Sequence, residues 1–234
     1  MMKRILMLLC VMVLGVSVEA KGKPEIQLWS VDVVRGSVAE GEGQKFRLFI
    51  LSGQSNMARL DHRSFILPNL EKAFPGDEIL IVKSSKPGQP IKRWMDEKGK
   101  TNQLYKKLIT KVKKELESRK PDSVTFMWMQ GERDAKKGDP ELYRLSLKNL
   151  IKQIRKDTDH QNATVVIGRL NKHLESKGYN ATRDVQVAIA EADPNAGWID
   201  LDDLGKGLHY KDDAYQKMGA RFVAATVKLL SQKQ

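Results

Sequence analysis

A serine among small polar residues follows an apolar run near residue 50. The stretch LSGQSNM covers residues 51–57 and places Ser55 four residues after the run ends. Two interpretations are open: an ordinary tight turn, and a turn that presents Ser55 as a nucleophile for acyl transfer. The stretch is not the Gly-x-Ser-x-Gly turn of α/β-hydrolases, because Met57 occupies the position of the second glycine.

A serine hydroxyl is a weak nucleophile unless a base lies within reach. The chain has four histidines, and His209 stands out because its segment, GKGLHYKDDAYQKMG, follows the last predicted strand and leads into the last predicted helix. His160 and His173 lie in charged segments typical of a surface, and His62 lies on the predicted helix that leaves the Ser55 turn. We therefore expect His209 to be the base and His62 to be a structural or substrate-side residue.

Two further segments that follow predicted strands contain amide and carboxylate side chains and a glycine. WMQGERDA, at 128–135, contains Gln130 and Glu132, and SSKPGQPIKRW, at 84–94, contains Gly88. The structural interpretation is a pair of capped turns. The functional one is that Gln130 and the Gly88 N–H stabilise an oxyanion while Glu132 orients the imidazole of His209.

These blocks, in this order, resemble the SGNH-hydrolase superfamily. LSGQSNM, PGQPIKRW, WMQGERDA, LHY and AYQKMGARFV are most similar to its branch of sialate O-acetylesterase-like proteins and family-six carbohydrate esterases, which includes acetyl xylan esterases. The resemblance runs from about Phe46 to Ala225. It implies deacetylation of O-acetylated sugars by a serine nucleophile, without a metal or cofactor, on a flavodoxin-like sheet.

Carried over to this sequence, the resemblance assigns Ser55 as nucleophile, His209 as base, and Ser55, Gly88 and Gln130 to the oxyanion hole. The aspartate that such enzymes often carry three residues before the histidine is replaced here by Lys206, which cannot accept a hydrogen bond. Glu132 is therefore our choice of triad acid. The alternative acids are Asp203 and Asp202. The residues assigned to substrate contact are Gln54, Asn56 and Gln89.

The elements that must position these residues alternate along the chain. Apolar, β-rich runs at 45–51, 78–84, 123–129, 163–170 and 197–201 predict strands, and amphipathic patterns between them predict helices near 103–118, 139–157, 182–192 and 212–230. The alternation predicts an α/β fold, a three-layer α/β/α sandwich with a parallel sheet of about five strands. In such sheets ligands bind beyond the carboxyl ends of the strands, where all the candidate residues lie.

The amino terminus predicts export. Residues 1–20 combine a basic start, an apolar run and a small-residue cleavage site, which is typical of a secretory signal peptide rather than a membrane span. Residues 21–44 form an extension of uncertain structure, an edge strand and a loop being one possibility, and 45–234 form the esterase domain. Cys10, the one cysteine, lies in the signal, so the mature protein is expected to be secreted or periplasmic without disulfides.

The chain carries 41 Lys and Arg against 29 Asp and Glu. No aromatic cluster accompanies the basic residues, so we expect no nucleic-acid partner. Nucleic-acid binding would be supported by the positive charge alone. The function predicted is an exported serine carbohydrate esterase acting on acetylated sugars or polysaccharides. The alternative is a catalytically weakened carbohydrate-binding protein that keeps the esterase fold. The sequence does not predict an oligomeric state.

Overall fold

The computed structural model describes residues 30–36, 44–136, 138–172 and 176–232. The predicted signal peptide, most of the 21–44 extension and His173 lie outside the described residues. Within them, no helix has both the length and the apolar character that crossing a bilayer requires.

Six strands form one sheet in the order β1-β3-β2-β4-β5-β6. Their bounds are β1 Ser30–Arg35, β2 Phe46–Gly53, β3 Glu78–Ser85, β4 Ser123–Met129, β5 Thr164–Gly168 and β6 Ala196–Ile199. Strands β2 to β6 are parallel, as predicted, and β1 pairs antiparallel with β3 at one edge. The α/β sandwich is confirmed, with six strands rather than five because β1 joins the sheet.

Helices cover both faces of the sheet. Their bounds are α1 Ser55–Arg59, α2 His62–Phe65, α3 Leu67–Ala73, α4 Gln103–Leu116, α5 Glu132–Ala135, α6 Pro140–Asp157, α7 Lys177–Glu191 and α8 Asp212–Ser231. One core packs α4, α6 and α7 on one face, and the other packs α1, α3 and α8 on the opposite face. Every residue of β2 is buried, which explains why its sequence is continuously apolar rather than alternating.

The topology brings the site segments to one edge. The chain passes from β2 to β3 on one side and then crosses to β4 on the other side, so β2 lies between them. The ends of these three strands lie side by side, since Gly53 pairs with both Ser85 and Met129. This reversal of direction is the place where open α/β sheets form a binding crevice.

Candidate active site

The turn after β2 depends on a glycine. Gly53 has a φ of +151°, and a Cβ added to it would lie 1.9 Å from the carbonyl oxygen of Met129. No other residue type would fit this approach of two strands. The N–H of Gln54 donates to the same carbonyl at 3.0 Å, and α1 begins at Ser55. The small residues of LSGQSNM therefore fix the position of Ser55 against the end of β4.

The structure brings the predicted nucleophile and base together. The Nε2 atom of His209 lies 3.0 Å from the Oγ atom of Ser55, within hydrogen-bonding distance. Partial burial lowers the pKa of His209, and the positive charge of Arg59 lowers it further. The imidazole is therefore kept neutral to lower pH than an exposed histidine, which leaves Nε2 free to accept a proton.

A cavity of about 190 Å³ opens at this contact. Its lining residues come from the ends of β2, β3 and β4 and from the loop before α8: Gln54, Ser55, Pro87, Gly88, Glu132, Arg133, Lys136, Leu208 and His209. Within the described ranges, the main-chain N–H groups of Ser55 and Gly88 make no hydrogen bond. Both predicted main-chain oxyanion donors therefore belong to residues that line one small cavity.

Glu132 lines the cavity but does not hydrogen-bond to the imidazole. Its Oε1 atom accepts a hydrogen bond of 2.7 Å from the side-chain amide of Asn56, and its buried Oε2 atom has no hydrogen-bond partner among the described residues. Burial raises the pKa of Glu132 to about 7. In this conformation the carboxylate is turned toward Asn56 rather than His209, and the role of Glu132 as triad acid stays a prediction.

Asn56 joins four segments of the site. Its Nδ2 donates to Glu132 and, at 3.0 Å, to the carbonyl of Leu208, the residue before His209. Its Oδ1 accepts a hydrogen bond of 2.9 Å from the hydroxyl of Tyr215 on α8. The predicted role of Asn56 in substrate contact does not fit, because this side chain is buried and all its polar groups are used internally. Sequence reasoning missed its structural role, although its position beside Ser55 was a signal.

The two alternative acids are also engaged elsewhere. Asp202 forms ion pairs with Arg183 at 2.6 Å and Arg169 at 2.8 Å. Asp203 forms a two-pronged pair with Arg221, and this hydrogen bonding lowers the pKa of Asp203 to about 2. Lys206 is exposed. Among the described residues, no carboxylate hydrogen-bonds to His209.

Gln130 lies beneath the cavity rather than in it. Its side chain is fully buried, and its Nε2 donates to the Asp134 carboxylate at 2.5 Å and to the Gln89 carbonyl at 3.1 Å. The predicted role as an oxyanion donor does not fit, because these acceptors occupy the amide. Asp134 also accepts from the N–H of Ile91 at 2.9 Å, so this block ties the loop after β3 to the end of β4.

The other two residues assigned to substrate contact differ from each other. Gln54 lines the cavity, and its Oε1 accepts from the N–H of Arg133 at 3.3 Å. The amide of Gln89 instead donates to the carbonyl of Pro87, and Gln89 is not part of the cavity lining. Only Gln54 of the three assigned residues is placed to meet a ligand.

A buried lysine supports the helix that carries Ser55. Lys83, on β3, donates to the carbonyl of Ala58 at 3.1 Å and that of Leu60 at 2.6 Å, at the carboxyl end of α1. Burial lowers the pKa of Lys83 to about 8. Nearby His62 is buried, burial lowers its pKa to about 4, and it does not line the cavity, so it is structural. A lysine inside an apolar run was a signal for this role.

No group of three or more His, Cys, Asp or Glu side chains is arranged to hold a metal ion in the part of the chain that the structure describes.

A family model described as carbohydrate esterase, sialic acid-specific acetylesterase, matches residues 63–228, well over half of the chain. The matched range contains Gly88, Gln130, Glu132 and His209 and begins after Ser55. The predicted resemblance is thus confirmed at the level of the family. No curated protein gives a significant sequence match.

Solved structures share the fold. A protein from Arabidopsis thaliana is 20% identical, with a TM-score of 0.62 over 79% of this chain and 98% of the other. A carbohydrate acetylesterase from Xanthomonas citri is 18% identical, with a TM-score of 0.64 over 79% of this chain and 56% of the other. A family two carbohydrate esterase from Clostridium thermocellum, in complex with cellohexaose, is 14% identical, with a TM-score of 0.55 over 82% and 67%.

Proposed function

The chain belongs to the family of carbohydrate esterases described as sialic acid-specific acetylesterases, and we propose that it removes acetyl groups from O-acetylated sugars through an acyl-enzyme on Ser55. The family makes it a carboxylic ester hydrolase. The observation that carries the serine mechanism is the 3.0 Å contact between the Ser55 hydroxyl and the His209 imidazole.

In the first step, His209 accepts the Ser55 proton on Nε2 as the hydroxyl oxygen attacks the acetyl carbonyl carbon. The lowered pKa of His209 supports this role, since a neutral imidazole is required before the attack. The negative charge that develops on the carbonyl oxygen is stabilised by the N–H groups of Ser55 and Gly88.

In the second step, the tetrahedral intermediate collapses and the bond between the acyl carbon and the sugar oxygen breaks. His209 gives its proton to that departing oxygen, which leaves as the sugar hydroxyl. Water then attacks the acetyl-serine with His209 again acting as base, and acetate is released. A cavity of about 190 Å³ is large enough for an acetyl group beside a water molecule.

Asn56 supports the base through the main chain and not through the imidazole ring. Its amide holds the Leu208 carbonyl, so it fixes the main chain at His209, and Glu132 and Tyr215 fix Asn56 in turn. We assign Asn56 and Glu132 as positioning residues, because neither hydrogen-bonds to the reacting hydroxyl or the imidazole. A Ser–His pair without a ring-bound acid retains base catalysis and oxyanion stabilisation.

Export, domain limits and substrate complete the proposal. Residues 1–20 serve as a signal peptide, and the folded esterase extends from β1 to the end of α8. The substrate is an O-acetylated sugar, and acetylated sialic acid and acetyl xylan are the first candidates.

The test uses p-nitrophenyl acetate and an organophosphate that labels active serines. Ser55→Ala is expected to reduce ester hydrolysis at least about 10³-fold and to abolish labelling. The matched control Ser64→Ala changes an exposed serine on α2 and should retain both. Labelling of another residue, or hydrolysis by Ser55→Ala at the wild-type rate, would refute the assignment. A wild-type protein that binds acetylated glycans without hydrolysing any ester would favour the carbohydrate-binding alternative.

A further inference from the structure

A row of four basic side chains lines a groove far along the chain from the nucleophile. The groove lies between α6 and α7, has a volume of about 480 Å³, and includes Arg144, Lys148, Lys152 and Arg155 in its lining. Their spacings of four, four and three residues place them on one face of α6, over about 16 Å of helix axis.

The two ends of this row form direct ion pairs. Arg144 pairs with Glu141 at 2.5 Å, and Arg155 pairs with Asp193 at 2.7 Å. Lys148 and Lys152, between them, are exposed; Lys148 also helps to lower the pKa of the Glu141 carboxyl through its charge. Like charges four residues apart on a helix repel each other, so an anion that binds between them gains free energy.

The floor of the groove is apolar. Ile151 and Ile189 are almost fully buried beneath the basic row, and the α7 side adds Ala188, Ala192 and Pro194 together with Asp193, the partner of Arg155. An apolar floor beside a row of cations suits a chain of sugar rings that carry anionic groups. The lining contains no aromatic side chain on which nucleic-acid bases would stack.

We propose that the α6/α7 groove binds an anionic polysaccharide and holds it while its acetyl groups are removed. This inference rests on the proposed function and narrows its substrate to acetylated polysaccharides with carboxylate or sulfate groups. The catalytic cavity also carries positive charge, because Arg133 and Lys136 line it and are exposed.

The experiment measures binding of the full-length protein to polygalacturonate, to a sulfated galactan and to neutral xylan, at low and high salt. Lys148→Gln with Lys152→Gln removes the two exposed lysines in the middle of the row. The matched control, Lys106→Gln with Lys114→Gln, removes two charges from α4 in the same helical layer but outside the groove. Hydrolysis of p-nitrophenyl acetate by each variant reports the state of the catalytic site.

We expect the wild type to bind at least one anionic polymer more tightly than xylan, with binding that weakens in salt. The groove variant should bind that polymer about fivefold more weakly, since two exposed ionic contacts are lost, while the control binds normally and both variants hydrolyse the model ester at the wild-type rate. If the groove substitutions weaken binding of polygalacturonate, the groove recognises carboxylate groups; if they weaken binding of the sulfated galactan, it recognises sulfate groups.

If both variants bound the polymer equally weakly, the proposal for the groove would be overturned, and a diffuse basic surface would explain the binding. Absence of polyanion binding in a wild-type protein that hydrolyses the model ester would also overturn it, and the proposed function would stand. Groove-dependent binding without any ester hydrolysis would have the opposite meaning: the groove would stand and the proposed function would fail.

Discussion

In the part of the chain that the structure describes, no carboxylate hydrogen-bonds to the ring of the base His209. What holds it is the main chain, through the hydrogen bond from Asn56 to the Leu208 carbonyl. Asn56 directly follows Ser55, so one dipeptide supplies the nucleophile and anchors the base. Because Glu132 is 4% exposed and hydrogen-bonds to Asn56, its contribution should depend on an acceptor oxygen rather than on negative charge.

Substitutions of Glu132 separate these two roles. Glu132→Gln keeps an oxygen that can accept from Asn56 and should retain kcat on p-nitrophenyl acetate within about threefold, whereas Glu132→Ala should lose about 10- to 100-fold because the base is misplaced. KM should change little in either variant. Asp203→Asn, in an exposed ion pair, is the control. Steady-state kinetics with thermal unfolding check this, and a collapse of kcat in Glu132→Gln would instead identify Glu132 as a charged triad acid.

The pH dependence of the reaction should show the effect of the Arg59 charge on the pKa of His209. Since burial and then Arg59 lower the pKa of His209, kcat/KM should fall as pH falls through that lowered pKa, where the base becomes protonated. Arg59→Gln removes the repulsion between positive charges, so the pKa rises and the acidic limb moves to higher pH. Arg59→Lys keeps the charge and should leave the limb in place. An unchanged limb in Arg59→Gln would show that Arg59 has no electrostatic effect on the base.

Sequence could predict which residue types react but not how the supporting side chains turn. Ser55 and His209 follow strand ends, and the topology alone brings them to one edge. Glu132 follows the same rule, yet its carboxylate turns to Asn56, because an amide one helix away competes for it. The Gln130 amide is engaged in a similar way, because acceptors from three segments surround it. Such competition depends on side-chain packing, which residue spacing does not contain.

Helix α1 is short, but it carries Ser55 and so sets the position of the nucleophile. It has only five residues, so it gains little stability from its own hydrogen bonds, and its carbonyl end is held by Lys83 from β3. Lys83 is 4% exposed, so its amine and the two hydrogen bonds to α1 are largely shielded from solvent. The position of Ser55, the first residue of α1, therefore depends on a side chain from the neighbouring strand.

Lys83→Met tests this dependence with a side chain of similar size. The two hydrogen bonds to the end of α1 are lost, so organophosphate labelling of Ser55 should slow about tenfold, while the melting temperature changes less because burying the ammonium was itself costly. Lys72→Met, an exposed lysine on α3, is the control and should behave as the wild type. Labelling at the wild-type rate in Lys83→Met would mean that α1 is held without the lysine.

The elements themselves were largely readable from the sequence. Continuous apolar runs predicted the five parallel strands, because strands covered on both faces hold few polar side chains, Arg47 and Lys83 being exceptions. The start of α7 was placed too late: the helix begins at Lys177, where the Ser176 side chain accepts a hydrogen bond from the N–H of Tyr179. Its first turn carries few apolar residues, so periodicity did not reveal it, and only the capping serine marked it.

At the scale of the whole molecule, basic charge is uneven. Helices α4 and α6 each carry five lysines or arginines, against one acidic residue on α4 and two on α6. On the other face, α8 has three basic and two acidic residues. The excess that composition reports for the whole chain is therefore concentrated on the face that holds the α6/α7 groove, which is where an anionic polymer would be attracted first.

The limit of the folded unit is the second property of the whole molecule. The sequence predicts a domain that begins at residue 45, with an edge strand as one interpretation of the extension before it. In the structure β1 pairs along its full length with β3, and Arg63 donates to Asp32 on β1 at 2.8 Å. Without β1, the apolar strand β3 would become the edge of the sheet, with unpaired main-chain groups open to other chains.

Two shortened chains test this boundary. A chain that begins at residue 30 should keep the melting temperature and esterase activity of the mature protein, since every strand of the sheet is present. A chain that begins at residue 44 should melt several degrees lower, by about 1–2 kcal/mol of unfolding free energy for a lost edge strand, and should aggregate through β3. Thermal unfolding and light scattering measure both effects. Equal stability of the two chains would place the boundary at residue 45 after all, with β1 as an appendage that the sheet does not need.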